Sequence, residues 1–356
     1  MKRGDWVDPD AGKVKLVDYA EKWVKERDLG DRTRELYSGY LKNHVGPHLG
    51  DLTLIEISAP RVRTWRMDLI DAGTGASTVA KSYRFLRTVL NTAVDDELIR
   101  KNPCRIKGAG QEKAAERPHA SLAEVFRIAA KIQGRYRLLV LLAAFAQLRF
   151  GELVALRRSD LTLPLLRTPT KEEIDAGADP DELIDDGTPV VRVDRALAQL
   201  DSGEQKLKAP KSDAGRRTVA LPAAILPVLR QHLATPGFTD AGPNGRLFRG
   251  AKGATPRRNN FNGTWKAAVR KAEANPELHL HDLRHAGATL TAQTGATLKE
   301  IMSRIGHSST RAAMVYQHAT SKRDQEIAVA LNALISAAMT EAEAGTGEAD
   351  GDDSTD

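Results

Sequence analysis

Nine consecutive apolar residues, 138–146, set the first constraint on this chain. A segment apolar on every side of a helix has to be covered on every side, and these nine residues fall well short of the ~20 that cross a bilayer. The run reads as a buried helix of a globular domain. It leads straight into Gln147-Leu148-Arg149-Phe150-Gly151-Glu152-Leu153, which leaves an arginine at the end of a buried element. A guanidinium there is costly unless it is paired or faces an anion. Glu152, three residues on, is placed to hold it.

Before that run the pattern is helical. Leu16, Tyr19, Ala20, Trp23 and Val24 form one apolar stripe. Asp31 is a candidate cap for a second helix, with Leu36, Tyr37, Tyr40, Leu41 and Val45 inward and Gly46-Pro47 as its stop. Ser58 and Pro60 open a third, which buries Val62, Trp65 and Leu69. Ser77 opens a fourth, with Val79, Tyr83, Leu86, Leu90, Ala93 and Val94 inward, closing near Asn102-Pro103. The outer faces are basic: Arg61, Arg63 and Arg66 on the third helix, then a ridge of Lys81, Arg84, Arg87 and Asn91 on the fourth. Acids are scarce there until Asp95. Such faces neutralise phosphates and position a DNA duplex.

Glycine and charge crowd residues 107–118, KGAGQEKAAERP, which reads as a linker. The expected organisation is a helical domain over 14–107, a linker over 108–120, a second domain over 121–338 and an acidic tail over 339–356. The second domain opens on a capping box, Ser121 with Glu124. Beyond Leu161 short strands take over. Residues 190–193 are β-branched, residues 217–221 alternate, and the turn-like Ser212-Asp213-Ala214-Gly215 between them predicts a hairpin with Lys211 near its bend. Residues 168–188 are acidic and broken by Pro and Gly, a surface insertion expected to stay off DNA. Helices follow over 222–234, 262–274, 281–294 and 297–305, where Thr297 and Glu300 form another capping box, then around Tyr316 and over 321–338. The expected fold is mainly α with a small antiparallel β-sheet.

Charge and cysteine content narrow the function. The formal charge of +6 becomes +13 once the seven acids of residues 341–356, which hold no Lys or Arg, are set aside. A body that basic favours a polyanion. Cys104 is the single cysteine, so an internal disulfide framework and a cysteine-built zinc site are excluded. The N-terminal MKRGDWVDPD has no apolar signal core, which makes the cytoplasm the expected home.

The chemistry-bearing residues cluster late in the chain. His281 and Arg284 lie three apart, on one face of a helix; His307 follows Gly306; Tyr316 comes nine residues later. Cations, imidazoles and a phenol suit attack on an anionic phosphodiester. In order, Arg149, Lys211, His281-x-x-Arg284, Gly306-His307 and Tyr316 resemble the tyrosine recombinases, the phage integrase family, in its actinobacterial phage or mobile-element form. The resemblance spans about residues 14–336. Ala146-Gln147-Leu148-Arg149-Phe150-Gly151-Glu152-Leu153 is similar to the family's Thr-Gly-Leu-Arg-x-Gly-Glu-Leu, with Gln147 where the family has glycine.

That resemblance implies a SAM-like core-binding domain followed by a mixed α/β catalytic domain. It also implies roles. Arg149 and Arg284 donate to the non-bridging oxygens, where charge grows in the transition state. Tyr316 is the nucleophile, His281 its base and later acid, and Lys211 the acid for the departing 5′-oxygen. His307 bonds the phosphate and Glu152 supports Arg149. The product is a 3′-phosphotyrosine, whose ester keeps the bond energy for rejoining. No GxxxxGK[ST] loop is present, and with the cations built in, no cofactor or metal is expected. Family members act as tetramers on two duplexes, with accessory DNA-bending or directionality proteins as possible partners. Such integrases often carry an N-terminal arm-binding domain; this chain starts too late to hold one, so it is a short form or part of a longer protein. The alternatives are chromosome-dimer resolution, a type IB-like topoisomerase, a non-catalytic DNA-binding regulator, or a metallohydrolase built on His281-x-x-x-His285.

Overall fold

The computed structural model describes residues 11–112, 118–177, 179, 184–210 and 213–306. Lys211, His307, Tyr316, the helices expected after residue 306 and the acidic tail lie outside the described residues. Two large hydrophobic cores organise the rest, with a small third cluster of Ala288, Ile301 and Ile305 holding the last described helix. One runs from Leu16 to Ala109, the other from Ala120 to Ala286. Among the described residues no helix is long and apolar enough to cross a membrane.

The first core is helical throughout: α1 (Leu16–Glu26), α2 (Asp31–Tyr40), a π-turn (Leu41–Val45), α3 (Gly46–Leu49), α4 (Ala59–Asp71) and α5 (Ala76–Asp95). Ser58 caps α4 by accepting from the Arg61 N–H, and Val62, Trp65 and Leu69 are buried as expected. Three expectations need correction. Gly46-Pro47 does not stop the second helix: the π-turn widens the backbone just ahead of Pro47, which enters α3 in its first turn, where its missing N–H costs nothing. The Trp65 indole takes up the His44 carbonyl at 2.7 Å. At the start of α2 the cap position belongs to Gly30 rather than Asp31, and Leu36 faces solvent. Finally, α5 begins after Gly75, and Ser77 lies inside it, its hydroxyl donating to Glu112 at 2.5 Å. It ends at Asp95, well before Asn102, because Glu97 turns left-handed (φ 58°) and the Leu98 and Ile99 N–H groups both close onto the Ala93 carbonyl.

The second core is mixed. It comprises α6 (Leu122–Lys131), α7 (Gly134–Phe145), α8 (Phe150–Leu153), β1 (Leu161–Thr162), β2 (Leu165–Arg167), α9 (Lys171–Asp175), β3 (Ile184–Asp186), β4 (Val190–Val193), β5 (Ala196–Gln199), β6 (Gln205–Lys208), β7 (Arg217–Ala220), α10 (Leu226–Ala234), α11 (Arg258–Lys271), α12 (Leu280–Gln293) and α13 (Leu298–Ile305). Strand order in the three-stranded antiparallel sheet is β1-β4-β7; β2–β3 and β5–β6 are separate two-stranded ribbons. The fold is therefore mainly α with small antiparallel sheets, as the sequence predicts. The strands expected to make a hairpin do pair, Val190 opposite Ala220 and Val193 opposite Arg217. The chain between them also folds the β5–β6 ribbon, whose bend is at residues 200–204. Ala196–Gln199 and Gln205–Lys208 contain no β-branched or aromatic residue, which hid both strands. The acidic insertion carries α9 and half of the β2–β3 ribbon. The helix expected over 262–274 starts earlier, at Arg258.

Helix α7 is the centre of this core, buried on all sides as its apolar run requires. Helix α12 crosses it at Gly287, where an added Cβ would stand 1.9 Å from the Ala144 carbonyl oxygen. No side chain fits there. Gly287→Ala must push α12 off α7 and is expected to lower stability by about 1–3 kcal/mol or more, read by urea denaturation. Gly263→Ala, in the exposed middle of α11 with nothing within 4 Å of the added carbon, should be neutral or stabilising by up to ~1 kcal/mol. Equal effects of the two would contradict the packing described.

Candidate active site

The site begins where α7 ends. The chain reverses through Gln147, which adopts a left-handed backbone (φ 56°). That conformation suits glycine and costs other residues about 1–2 kcal/mol. Gln147 offsets it with its side chain, which donates to the Gly287 carbonyl at 2.9 Å and the Thr291 hydroxyl at 2.6 Å, both on α12. Its own carbonyl accepts from Arg284. The departure from a glycine thus keeps the turn and adds a brace. Arg149 then stands at the head of α8, its backbone N–H bonded to Glu152 at 2.9 Å.

Glu152 is the hub. Its buried carboxylate accepts from Arg149 at 2.8 Å and Arg217 at 3.0 Å, with Arg284 4.0 Å away. Burial alone would raise its pKa, but the Arg217 guanidinium, through charge and a hydrogen bond, together with Arg149, holds it below the ordinary carboxylate value. Three guanidiniums around one carboxylate leave a local excess of two positive charges. A second set of acceptors comes from the C-terminus of α13. Three successive carbonyls there are each taken by a different arginine: Arg304 O by Arg217 at 2.9 Å, Ile305 O by Arg284, and Gly306 O by Arg149 at 3.4 Å. Gly306 closes the helix left-handed (φ 63°), and a Cβ on it would stand 2.8 Å from the Arg217 guanidinium. Glycine is required there twice over.

The arginines differ in access. Arg284 is 1% exposed, whereas the Arg149 side chain keeps 40% of its surface open. Arg149 is therefore the guanidinium that an incoming anion meets first. His281 and Arg284 lie one turn apart on α12, as the spacing predicts. Beside Arg149 lies a cavity of about 590 Å³ whose walls include Phe150, Arg258, Asn262, His281 and Asp282. His281 is an exposed residue at its rim. Partial loss of solvent around the ring, then the neighbouring His285, Arg284 and Arg149, push its pKa down to about 4 against a smaller opposing pull from Asp282. A neutral imidazole results at physiological pH. Its ring meets His285 edge to face, centres 4.8 Å apart.

The structure thus brings Arg149, Glu152, His281 and Arg284 together. Arg217 belongs with them and was not singled out from the sequence. Its signal was present: in the alternating run of β7, Arg217 and Val219 share the inward face, which puts a guanidinium where only a buried carboxylate can keep it. The expected DNA-contact residues sit elsewhere. Arg61 and Arg63 of α4 and Arg87 of α5 are exposed, and Arg66 is half-buried. Lys81 and Arg84 bind Glu112 at 3.3 and 2.5 Å.

Comparison with known proteins places the chain in a family. The chain matches the phage integrase family over residues 187–323 and the phage integrase N-terminal SAM-like domain over residues 15–70. A putative prophage phiRv2 integrase of Mycobacterium tuberculosis is 38% identical over 329 residues, covering 89% of this chain and 78% of that protein. The Tn1549 transposon integrase, solved in complex with transposon right end DNA, has a similar fold: TM-score 0.70 at 19% identity, covering 89% of this chain and 100% of that one. A lambda integrase tetramer bound to a Holliday junction gives a TM-score of 0.59 at 17% identity, over 89% of this chain and 82% of that one. Likeness of sequence to a prophage integrase along nearly the whole chain, joined to matches to both family domains, leads to one conclusion: the chain belongs to the phage integrase family, the tyrosine-type site-specific recombinases, and is of the actinobacterial phage type.

Proposed function

We propose that Arg149 and Arg284 hold the attacked DNA phosphate while Tyr316 displaces the 5′-oxygen. The Tyr316 oxygen forms a bond to phosphorus, its proton passes to His281, and the bond to the 5′-oxygen breaks as Lys211 supplies that oxygen with a proton. The 3′-phosphotyrosine is resolved by a 5′-hydroxyl attacking in reverse, so no outside energy is needed. His307 completes the phosphate contacts. Arg217 and Glu152 keep the two guanidiniums aimed. One observation carries this reading: the consecutive carbonyls 304–306 are gripped by the arginine cluster, and the next residue in the chain is His307. A neutral His281 supports its assignment as base.

In this reading residues 14–107 form the core-binding domain, which lays the Arg61–Arg66 face of α4 and the Arg87 side of α5 on the duplex. Residues 121–338 form the catalytic domain, joined through 108–120, and 339–356 are an acidic tail. The active form is a tetramer on two duplexes, in the cytoplasm where the DNA is, inserting and excising a phage or mobile element. Prophage-integrase likeness over 89% of the chain favours this over chromosome-dimer resolution.

Two measurements test the assignment. Tyr316→Phe should bind a duplex from the DNA flanking the element as the parent does, yet form no covalent, protease-sensitive adduct. An adduct formed by this variant would remove Tyr316 from the chemistry. In the DNA-free protein an NMR titration of the His281 ring should show it neutral down to pH ~5, with its midpoint near the value of about 4 that its surroundings impose. The sign follows from a lowered pKa, since the charged form is the one disfavoured in the fold. A midpoint at the ordinary ~6.5 would contradict that environment.

A further inference from the structure

The β5–β6 ribbon touches more of the molecule than its size suggests. At its bend it meets the other core: Arg32 of α2 pairs with Asp201, and the Glu35 carboxylate accepts from the Asp201 backbone N–H at 3.1 Å. Along β6, Lys206 and Lys208 flank Asp31 at 3.4 and 3.2 Å. These contacts join residues more than 160 positions apart in sequence, independently of the linker. At its base the same ribbon lies against the active site. The Leu197 carbonyl approaches α8 so closely that a Cβ on Gly151 would stand 2.6 Å from it. Gln199 accepts from the Arg258 backbone N–H at 3.0 Å, at the head of α11 and the wall of the cavity beside Arg149. Three residues beyond the end of β6 comes Lys211.

We infer that the ribbon is a positioning strut: docking of α2 on its bend, through Arg32, Glu35 and Asp201, sets the strand that packs on the Arg149 turn. Closure of the helical domain is thereby felt at the phosphate site. Each ion pair is exposed and weak alone, so they do not hold the two domains together by strength. They work as a register. Six charged side chains and one backbone N–H fix where the ribbon sits, and the tight Leu197–Gly151 contact transmits a displacement rather than absorbing it. Asp201 and Arg32 are positioning residues that touch neither DNA nor the reacting atoms in this account. The inference rests on Arg149 acting at the phosphate.

The test is single-turnover cleavage by the full chain of a nicked duplex taken from the DNA flanking the element, at saturating protein, alongside the Kd for the same duplex. Arg32→Glu and Asp201→Arg should each slow the saturated cleavage rate about three- to tenfold, the size of effect expected when weak pairs become repulsive, with Kd changed less than about threefold. The double variant, which restores an opposite pair, should return to within about twofold of the parent. Saturated rates unchanged in the single variants, or equally slow in the double, would overturn the strut. Faster single variants would also overturn it, since the contact would then be a latch blocking DNA entry. Arg149→Ala separates the two readings: if it cleaves like the parent, the site assignment fails and the strut with it; if it is inactive while the ribbon variants cleave normally, only the strut fails.

Discussion

A buried carboxylate surrounded by guanidiniums is the interaction on which this site depends. Glu152 is taken out of water among Arg149, Arg217 and Arg284. Moving such charges into the interior costs several kcal/mol per ion, and removing one partner of a buried pair strands the other. The cluster is therefore a poor way to stabilise a fold and a good way to fix geometry. Its excess positive charge is built into the fold, so in the proposed reaction little would have to reorganise to receive a phosphate. Preorganised cations aimed at developing charge are the most effective electrostatic aid available to a phosphoryl transfer.

The backbone takes part in the same arrangement. The arginines reach out from α8, β7 and α12, and the carbonyls they grip belong to the last turn of α13. Four elements drawn from three separate stretches of the chain are thus tied at one point. Two close approaches make it possible: Gly287 lets α12 touch α7, and Gly306 lets the chain turn left-handed against Arg217. Gln147 shows how the turn tolerates a non-glycine. Its side chain reaches hydrogen bonds on α12 that glycine cannot make, set against its unfavourable backbone angle.

Much of this was legible in the residues because it is written in local signals. The capping boxes at Ser121 and Thr297, the all-apolar α7 and the His281–Arg284 spacing were read from short windows and appear as expected. What escaped was set by distant partners. Gly46-Pro47 looks like a stop, but a π-turn upstream and the Trp65 indole let the helix pass. Arg217 looks like a surface residue of a strand until its inward register and Glu152 are both known. The β5–β6 ribbon has no strand-forming side chains of its own and is held by what it leans on. Lys211, His307 and Tyr316, legible as a motif, lie outside the described residues.

The central claim is that the cluster's positive charge is spent on negative charge at the attacked phosphate. Single-turnover cleavage of paired substrates, one with an ordinary phosphate and one with an uncharged methylphosphonate at the cleavage position, tests it directly. Arg149→Ala should lose about 10²–10³-fold on the phosphate, the scale of one transition-state donor, and most of that loss should vanish on the neutral linkage. An equal loss on both substrates would mean that Arg149 serves structure rather than charge, and the account would fail.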